Sequence, residues 1–412
     1  MRILFINISD VSGGSAKAAY RLGSALKQSG QHEIKFLVRS KFSTDNNVIS
    51  TRSNKLKGLA ERGINILFNL LGLQYQWLPF SPKVVLKTAR EFQPDIISLH
   101  NTIGGYFVTN DLIELSKIAP IVWTLHDMWA FTGNAAHTFG DDSWKQMKTA
   151  KGEKKIFPWI GLNTGEWLLK QKQEIYENSN VTIVAPSKWL YDLAVQSPVF
   201  DNKSIHHIYH GIDLNKFKRL DQSAIRKKLN IPNDVKVLMF SAEKLAKNYW
   251  KGGKDLLDIL QIINSNTKEK LYLIALGKGD LKQLNEFENF KIIRPGFITS
   301  EQEMIEYYSA ADLFLYPTRA DNLPLSLIEP IACGLPCVTY DIGGCKEIIR
   351  DDMSGYVIPP FDKNAFADSV LNTLFNDKGI SELSQNSRKL ASELFDIGLM
   401  QKIYLHLFTS IK

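Results

Sequence analysis

Two carboxylates eight residues apart, Asp321 and Glu329, stand inside Ala311–Glu347, ADLFLYPTRADNLPLSLIEPIACGLPCVTYDIGGCKE. Leu313–Tyr316 reads as a buried strand and Thr318–Leu323 as a polar loop. Pro324 suits the first turn of a helix, where its missing N–H costs nothing. The helix runs to about Cys333, with Gly334 as its stop. Asp321 then lies just before a helix N-terminus, whose free backbone N–H groups bind phosphate, and can reach the part of a ligand beyond it. Glu329 falls about a turn and a half into the helix among Leu327, Ile328 and Ile331. A carboxylate there is costly unless paired, and the vicinal hydroxyls of a ribose would satisfy it. On spacing alone the alternative stays open: Asp321 aids the cap and Glu329 is a solvated partner of the helix dipole.

Other residues fit the same chemistry. Lys251, in Trp250-Lys-Gly-Gly253 before a helical segment, can neutralise a diphosphate as its charge develops. It belongs to a basic run with Lys244, Lys247 and Lys254 and can equally be a surface lysine. Gly13 and Gly14 follow the first strand and allow close backbone approach to a phosphate or an acceptor. His100 and His126 each follow an apolar strand at its carboxyl end. Gly296 and Phe297, after another strand, are candidates to border a nucleotide base.

The elements that must hold these residues alternate. Ile3–Asn7, Glu33–Val38, Ile96–Leu99, Ile121–Leu125 and Thr182–Ala185 read as strands, separated by helical patterns such as Ser15–Ser29. A further series runs through Ile205–Tyr209, Val235–Phe240, Leu271–Leu276, Ile292–Arg294, Leu313–Tyr316 and Cys337–Tyr340. Alternation of this kind predicts parallel sheets built from βαβ units. About eleven strands call for two doubly wound domains, with the boundary near Asp213–Leu220. Ligands of such sheets bind at the carboxyl ends of the strands.

Composition narrows the classes. Of 412 residues, 44% are apolar and 23% charged, which excludes disordered, collagenous and coiled-coil chains. The net charge of +7 admits an anionic ligand, nucleic acid or an anionic lipid surface without choosing among them. No nucleic-acid motif is present. The three cysteines, Cys333, Cys337 and Cys345, crowd one segment, which predicts buried thiols rather than a disulfide framework or a zinc site. MRILFINISD is too short an apolar run for a signal peptide, and no run spans a membrane, so a cytoplasmic location is expected.

Asp321, Glu329, the Ala332–Pro336 turn and Asp341–Gly344 together resemble the signature of the retaining glycosyltransferases of family 4, with two Rossmann-like domains in the arrangement called GT-B. The first acid is usually Glu in that family. The Asp-Asn-Leu-Pro form found here also occurs in the branch of colanic-acid and exopolysaccharide-type enzymes, which Leu99-His-Asn and Thr124-Leu-His-Asp resemble too. The resemblance covers nearly the whole chain. It implies an N-terminal acceptor domain over 1–212 and a C-terminal nucleotide-sugar domain over 213–390. Residues 391–412 would form a helix returning to the first domain. It implies Asp321, Glu329, His126 and Lys251 as catalytic residues. The donor, a UDP- or GDP-sugar, would be bound by Gly13, Gly14, Lys247, Lys251, Asn322, Leu323, Pro324, Leu325, Glu329, Gly296 and Phe297. Trp250 and Glu243 stand where relatives carry further basic residues, so Lys247 is the candidate second cation. The implied reaction moves a sugar to a hydroxyl of a polyprenyl-linked or other glycan acceptor with retention at the anomeric carbon. No Asp-x-Asp motif occurs, and no metal or cofactor is expected. Pro186–Trp189 and His210–Asp213 match the family's structural strand-end turns.

Leu56–Leu73, LKGLAERGINILFNLLGL, carries Leu56, Leu59, Ile64, Leu67 and Leu71 on much of one face, with Arg52, Lys55, Lys57 and Arg62 nearby. Residues 52–73 therefore read either as a basic amphipathic helix lying on the inner face of the cytoplasmic membrane or as a helix flanking the first sheet. Two rivals to the transferase remain open: a catalytically silent relative acting as a binding subunit, and a nucleotide-sugar epimerase of similar fold. A dinucleotide-binding G-x-G-x-x-G is not present after the first strand.

Overall fold

A computed structural model describes residues 1–52, 54–149, 156–244, 249–278 and 282–412. The chain divides into two units, one of Met1–Gly211 with Ile397–Lys412, the other of Ile212–Asp396. The first division falls one residue from the expected break at 212/213. The expected break at residue 391 falls inside the helix Asp377–Leu394, and the chain changes unit only after Asp396.

The first unit holds one sheet of seven parallel strands: β1 (Arg2–Ser9), β2 (Glu33–Ser40), β3 (Val48–Ser50), β4 (Ile96–Leu99), β5 (Ile121–Thr124), β6 (Val181–Ala185) and β7 (Ile205–His207), in the order β3-β2-β1-β4-β5-β6-β7. The second unit holds β8 (Lys236–Lys244), β9 (Leu271–Lys278), β10 (Phe290–Gly296), β11 (Leu313–Tyr316), β12 (Cys337–Tyr340) and β13 (Gly355–Ile358), in the order β10-β9-β8-β11-β12-β13. Both orders turn back on themselves after the first strand. A crevice opens at that reversal, between β1 and β4 in one sheet and between β8 and β11 in the other.

Full burial of both faces explains why the central strands are continuous apolar runs. β4, β5, β6, β11 and β12 are buried along their whole length. The helix Ile397–Ile411 packs Met400, Tyr404, Leu407 and Phe408 onto Ile3, Phe5 and Leu22 of the first unit. Thr124 and Tyr404 hydroxyls meet at 2.9 Å beneath it. The three cysteines are free and buried in the second unit, where burial raises each thiol pKa. No described helix is long and apolar enough to cross a membrane.

Candidate donor and acceptor residues

In the second unit the reversal point is lined by the ends of β8 and β11. Lys251 follows β8 and Asp321 follows β11, and their side chains form an ion pair. Tyr316, the last residue of β11, donates its hydroxyl to Asp321 Oδ2 at 2.5 Å, and Lys251 Nζ lies 3.4 Å from the same hydroxyl. Burial and the Asp321 carboxylate raise the Tyr316 pKa well above its ordinary value, so it stays a donor. Gly252 follows Lys251 with a φ of +65°, and a side chain there would collide with the Pro317 carbonyl. That contact explains the Lys-Gly pair: the glycine lets the two loops touch and so presents Lys251 to Asp321.

The helix Leu325–Ala332 begins four residues after Asp321, with Pro324 at its cap and no acidic residue in its first turn. Asn322 is buried, and its carbonyl accepts from Gly344 N–H at 2.8 Å. A side chain on Gly343 would strike the Asp321 carbonyl. The Asp341–Gly344 turn is thus the support on which the Asp321–Asn322 loop rests. Leu323 and Leu325 are buried beneath it. Glu329 is buried in the helix, and Tyr308 donates to its Oε2 at 3.2 Å. The carboxylate that the sequence left to a ligand therefore has a protein partner as well. Gly296 and Phe297 stand at the end of β10, two strands from β8. Phe297 is exposed, with Lys278 Nζ 4.6 Å from its ring centre. Among the described residues they have no hydrogen bond or ion pair to Lys251 or Asp321. Lys247 lies outside the described residues.

In the first unit Gly13 caps the helix Gly14–Gln28 at φ +97°, and a side chain at either glycine would meet open space. Asn7 joins this helix start to the next loop: its Nδ2 donates to Ser15 O at 3.3 Å and its Oδ1 accepts from Asn101 N–H at 3.2 Å.

His126 stands one residue past Leu125 at the end of β5, half-buried, between His100 and His210. Its Nε2 is 3.1 Å from His100 Nδ1, and His100 Nε2 is 3.1 Å from Ser98 Oγ. The ring of His210 stacks on that of His126 at 5.3 Å. His210, read from sequence as part of a structural turn, is thus brought into contact with a candidate catalytic residue. Burial lowers all three imidazole pKa values, those of His100 and His210 to about 3, so all are neutral at pH 7. His100, Asn101, Thr102, His126 and Asp127 line a small pocket at this edge. Burial pushes the Asp127 carboxyl up to about 6. Beside it the buried Lys172 donates to the carbonyls of Trp129 and Thr132 at 2.6 and 2.8 Å, fixing the loop after β5. No spacing signal pointed to Lys172, which lies 46 residues from His126 in the chain.

Comparison with known proteins now bears on the geometry. Residues 12–216 match the model of Glycosyltransferase Family 4, and residues 221–390 match that of Glycosyl transferases group 1. The chain belongs to the group 1, family 4 glycosyltransferases. It is 25% identical over 198 residues to N-acetyl-alpha-D-glucosaminyl L-malate synthase of Bacillus anthracis, covering 47% of this chain and 50% of that protein. It is 22% identical over 285 residues to an Escherichia coli K12 protein named for colanic acid biosynthesis (WcaC), covering 65% of this chain and 64% of that one. The chain thus spans about half to two thirds of the length of these curated relatives. Among solved structures it resembles Anabaena Alr3699/HepE in complex with UDP, with a TM-score of 0.69 at 17% identity over the full length of both. The fold is GT-B, with two Rossmann-like units.

Proposed function

We propose that this family member transfers a sugar from a nucleoside-diphosphate sugar to a hydroxyl of a lipid-linked glycan, with retention and without a metal, in the synthesis of a surface polysaccharide. The observation that carries this reading is the Lys251–Asp321 pair at the reversal point of the second sheet, set against the start of Leu325–Ala332. An incoming diphosphate competes with Asp321 for Lys251. Once displaced, the carboxylate is available to the hydroxyls of the donor sugar. Lys251 and the unpaired N–H groups of the helix start then stabilise the diphosphate as it leaves. Glu329, held by Tyr308, would meet the ribose hydroxyls. His126, kept neutral, can hydrogen-bond a sugar hydroxyl without adding charge. The resemblance implies departure and attack on one face of the sugar, with no covalent enzyme intermediate.

The similarly folded Anabaena protein has been crystallised with UDP and with UDP-glucose, which makes UDP-sugars the first donors to test and GDP-sugars the second. A lipid-linked acceptor would bring the protein to the inner face of the cytoplasmic membrane through residues 52–73.

The decisive experiment combines thermal shift with turnover. A UDP- or GDP-sugar is expected to raise the melting temperature and to be consumed. Glu329→Ala is expected to abolish turnover and weaken nucleotide binding about 10–100-fold, the value of a hydrogen bond to a charged group. Turnover is expected to survive a chelator. Activity lost to chelator and restored by Mg²⁺ or Mn²⁺ would overturn the metal-independent mechanism. Nucleotide binding without turnover would favour the silent binding subunit.

A further inference from the structure

Arg39, at the end of β2, is half-buried, and its Nε is shut off from solvent with no hydrogen-bond partner. A Cβ placed on Gly104 would lie 3.1 Å from its Nη1, so the guanidinium rests against the Gly104–Gly105 turn that follows β4. Arg52 holds the same turn, donating from Nη2 to the Gly105 carbonyl at 2.6 Å. Asn65 of the helix Lys55–Leu70 abuts Gly105. Arg62, three residues earlier on that helix, is near enough to repel the charges of both Arg39 and Arg52. Two guanidinium groups from separate parts of the chain, Arg39 and Arg52, therefore meet at one glycine turn at the carboxyl edge of the first sheet, with the charge of the exposed Arg62 nearby.

Their charge is only partly opposed. The buried Glu61 carboxylate pairs with Arg52 Nε at 3.5 Å and is shared with other donors. It accepts from Phe80 N–H at 3.1 Å, from Ser81 N–H at 2.6 Å and from the Ser81 hydroxyl at 2.5 Å, in place of a local cap for the helix Ser81–Phe92. The phenols of Tyr75 and Tyr106 also lie near Arg39, and both are neutral. Among the described residues Arg39 has no ion pair. Desolvation and like charge both act against this arrangement. A cluster that costs stability at a ligand-binding edge is expected where a ligand supplies the missing charge.

We infer that Arg39, Arg52 and Arg62 form a phosphate site on the first unit, which takes a phosphoryl or diphosphoryl group of the acceptor. The planar fork of arginine matches phosphate oxygens in pairs, which suits this ligand better than a single hydroxyl. The inference deepens the proposed function and rests on it for the identity of the acceptor, not for the binding of phosphate itself.

The test uses the full chain and two probes. Inorganic pyrophosphate is titrated calorimetrically with and without UDP. Binding to phosphatidylcholine vesicles is measured with and without phosphatidic acid. Arg39→Gln is expected to weaken pyrophosphate binding at least tenfold while the thermal shift by UDP stays unchanged. Arg39→Lys, which keeps the charge but not the fork, is expected to lose less. Loss in the pyrophosphate arm alone assigns a soluble phosphate ligand, and loss in both arms assigns a lipid headgroup. Arg39→Gln is also expected to melt no lower than the wild type, because it removes repulsion rather than an ion pair. Unchanged binding of both probes, or a lower melting temperature with unchanged pyrophosphate binding, overturns the site. If UDP fails to bind the wild type, the donor reading fails, while the Arg39 comparison still reports on the phosphate site.

Discussion

His100, His126 and His210 remain neutral because burial disfavours a charge on each, reinforced by the neighbouring imidazoles at His100 and His126 and by the Arg21 charge at His210. An unfolded chain protonates each near pH 6.5. Between that value and the folded value of about 3 for His100 and His210, the unfolded state binds more protons, so these residues make stability fall as pH falls. Asp127, raised to about 6, acts in the opposite sense between its unfolded value and 6, since there the folded state binds the extra proton. The absolute slope is therefore a sum of opposing contributions, and the difference between variants is the cleaner quantity. His210→Asn is expected to reduce the slope of unfolding free energy between pH 4.5 and 6 by about one proton, or ~1.4 kcal/mol per pH unit. Urea unfolding at several pH values measures it. An unchanged slope would mean that His210 titrates normally in the folded protein.

At the scale of elements, the helix Ile397–Ile411 makes the strongest claim, because it stabilises a unit that the chain left some 185 residues earlier. Phe408 is fully buried among Ile3, Phe5 and Leu22. Phe408→Ala is expected to cost about 3–5 kcal/mol. Hydrogen exchange should locate the loss in β1 and β2, while β8 and β9 keep their protection. Protection lost first in the second unit would sink the assignment. That helix was legible in outline, as were β4, β11 and β12, whose bounds the apolar runs give to the residue. A strand buried on both faces leaves a continuous apolar record. β3 and β13 were missed because they are short edge strands buried only in part, VIS and GYVI, and leave no apolar run that stands out from the neighbouring loops. The approach of Lys251 to Asp321 was half legible. Motif spacing singled out both residues, but only the fold places β8 beside β11. The gathering of His210 onto His126 and of Arg39 onto Arg52 was not legible. Each is made by residues distant in sequence meeting at strand ends, where no periodicity operates.

At the scale of the whole molecule, part of the +7 charge borders an uncovered apolar surface on the first unit. The helix Lys55–Leu70 was read as either flanking the sheet or lying on a membrane. In the structure its one buried residue is Glu61, while Leu56 (76% exposed), Leu59, Ile66, Leu67 and Leu70 face outward. Ile64 is half-buried and leaves the expected apolar face. The surface extends beyond the helix: Gly161 and Leu162 N–H groups donate to the Asn69 and Leu70 carbonyls at 2.8 and 3.1 Å, which fixes the neighbouring chain at the helix end. That chain adds Phe157, Trp159 (57% exposed) and Leu162, and Trp77 stacks on Phe68 close by. Lys55, Lys57 and Arg62 flank the leucines. Apolar and aromatic side chains with basic neighbours are the composition of an interfacial helix, and under the proposed membrane contact an anionic bilayer would complement their charge. The wild type is expected to float with vesicles containing phosphatidylglycerol and to bind pure phosphatidylcholine more weakly. Leu67→Asp, which places a charge on the exposed face without touching the core, is expected to abolish flotation while leaving the melting temperature within about 1 °C, since exposed substitutions change stability little. A Trp159→Ala variant tests the second segment and is expected to weaken flotation without abolishing it. If Leu67→Asp floats as the wild type does, the exposed leucines do not serve a bilayer, and the apolar face has another occupant.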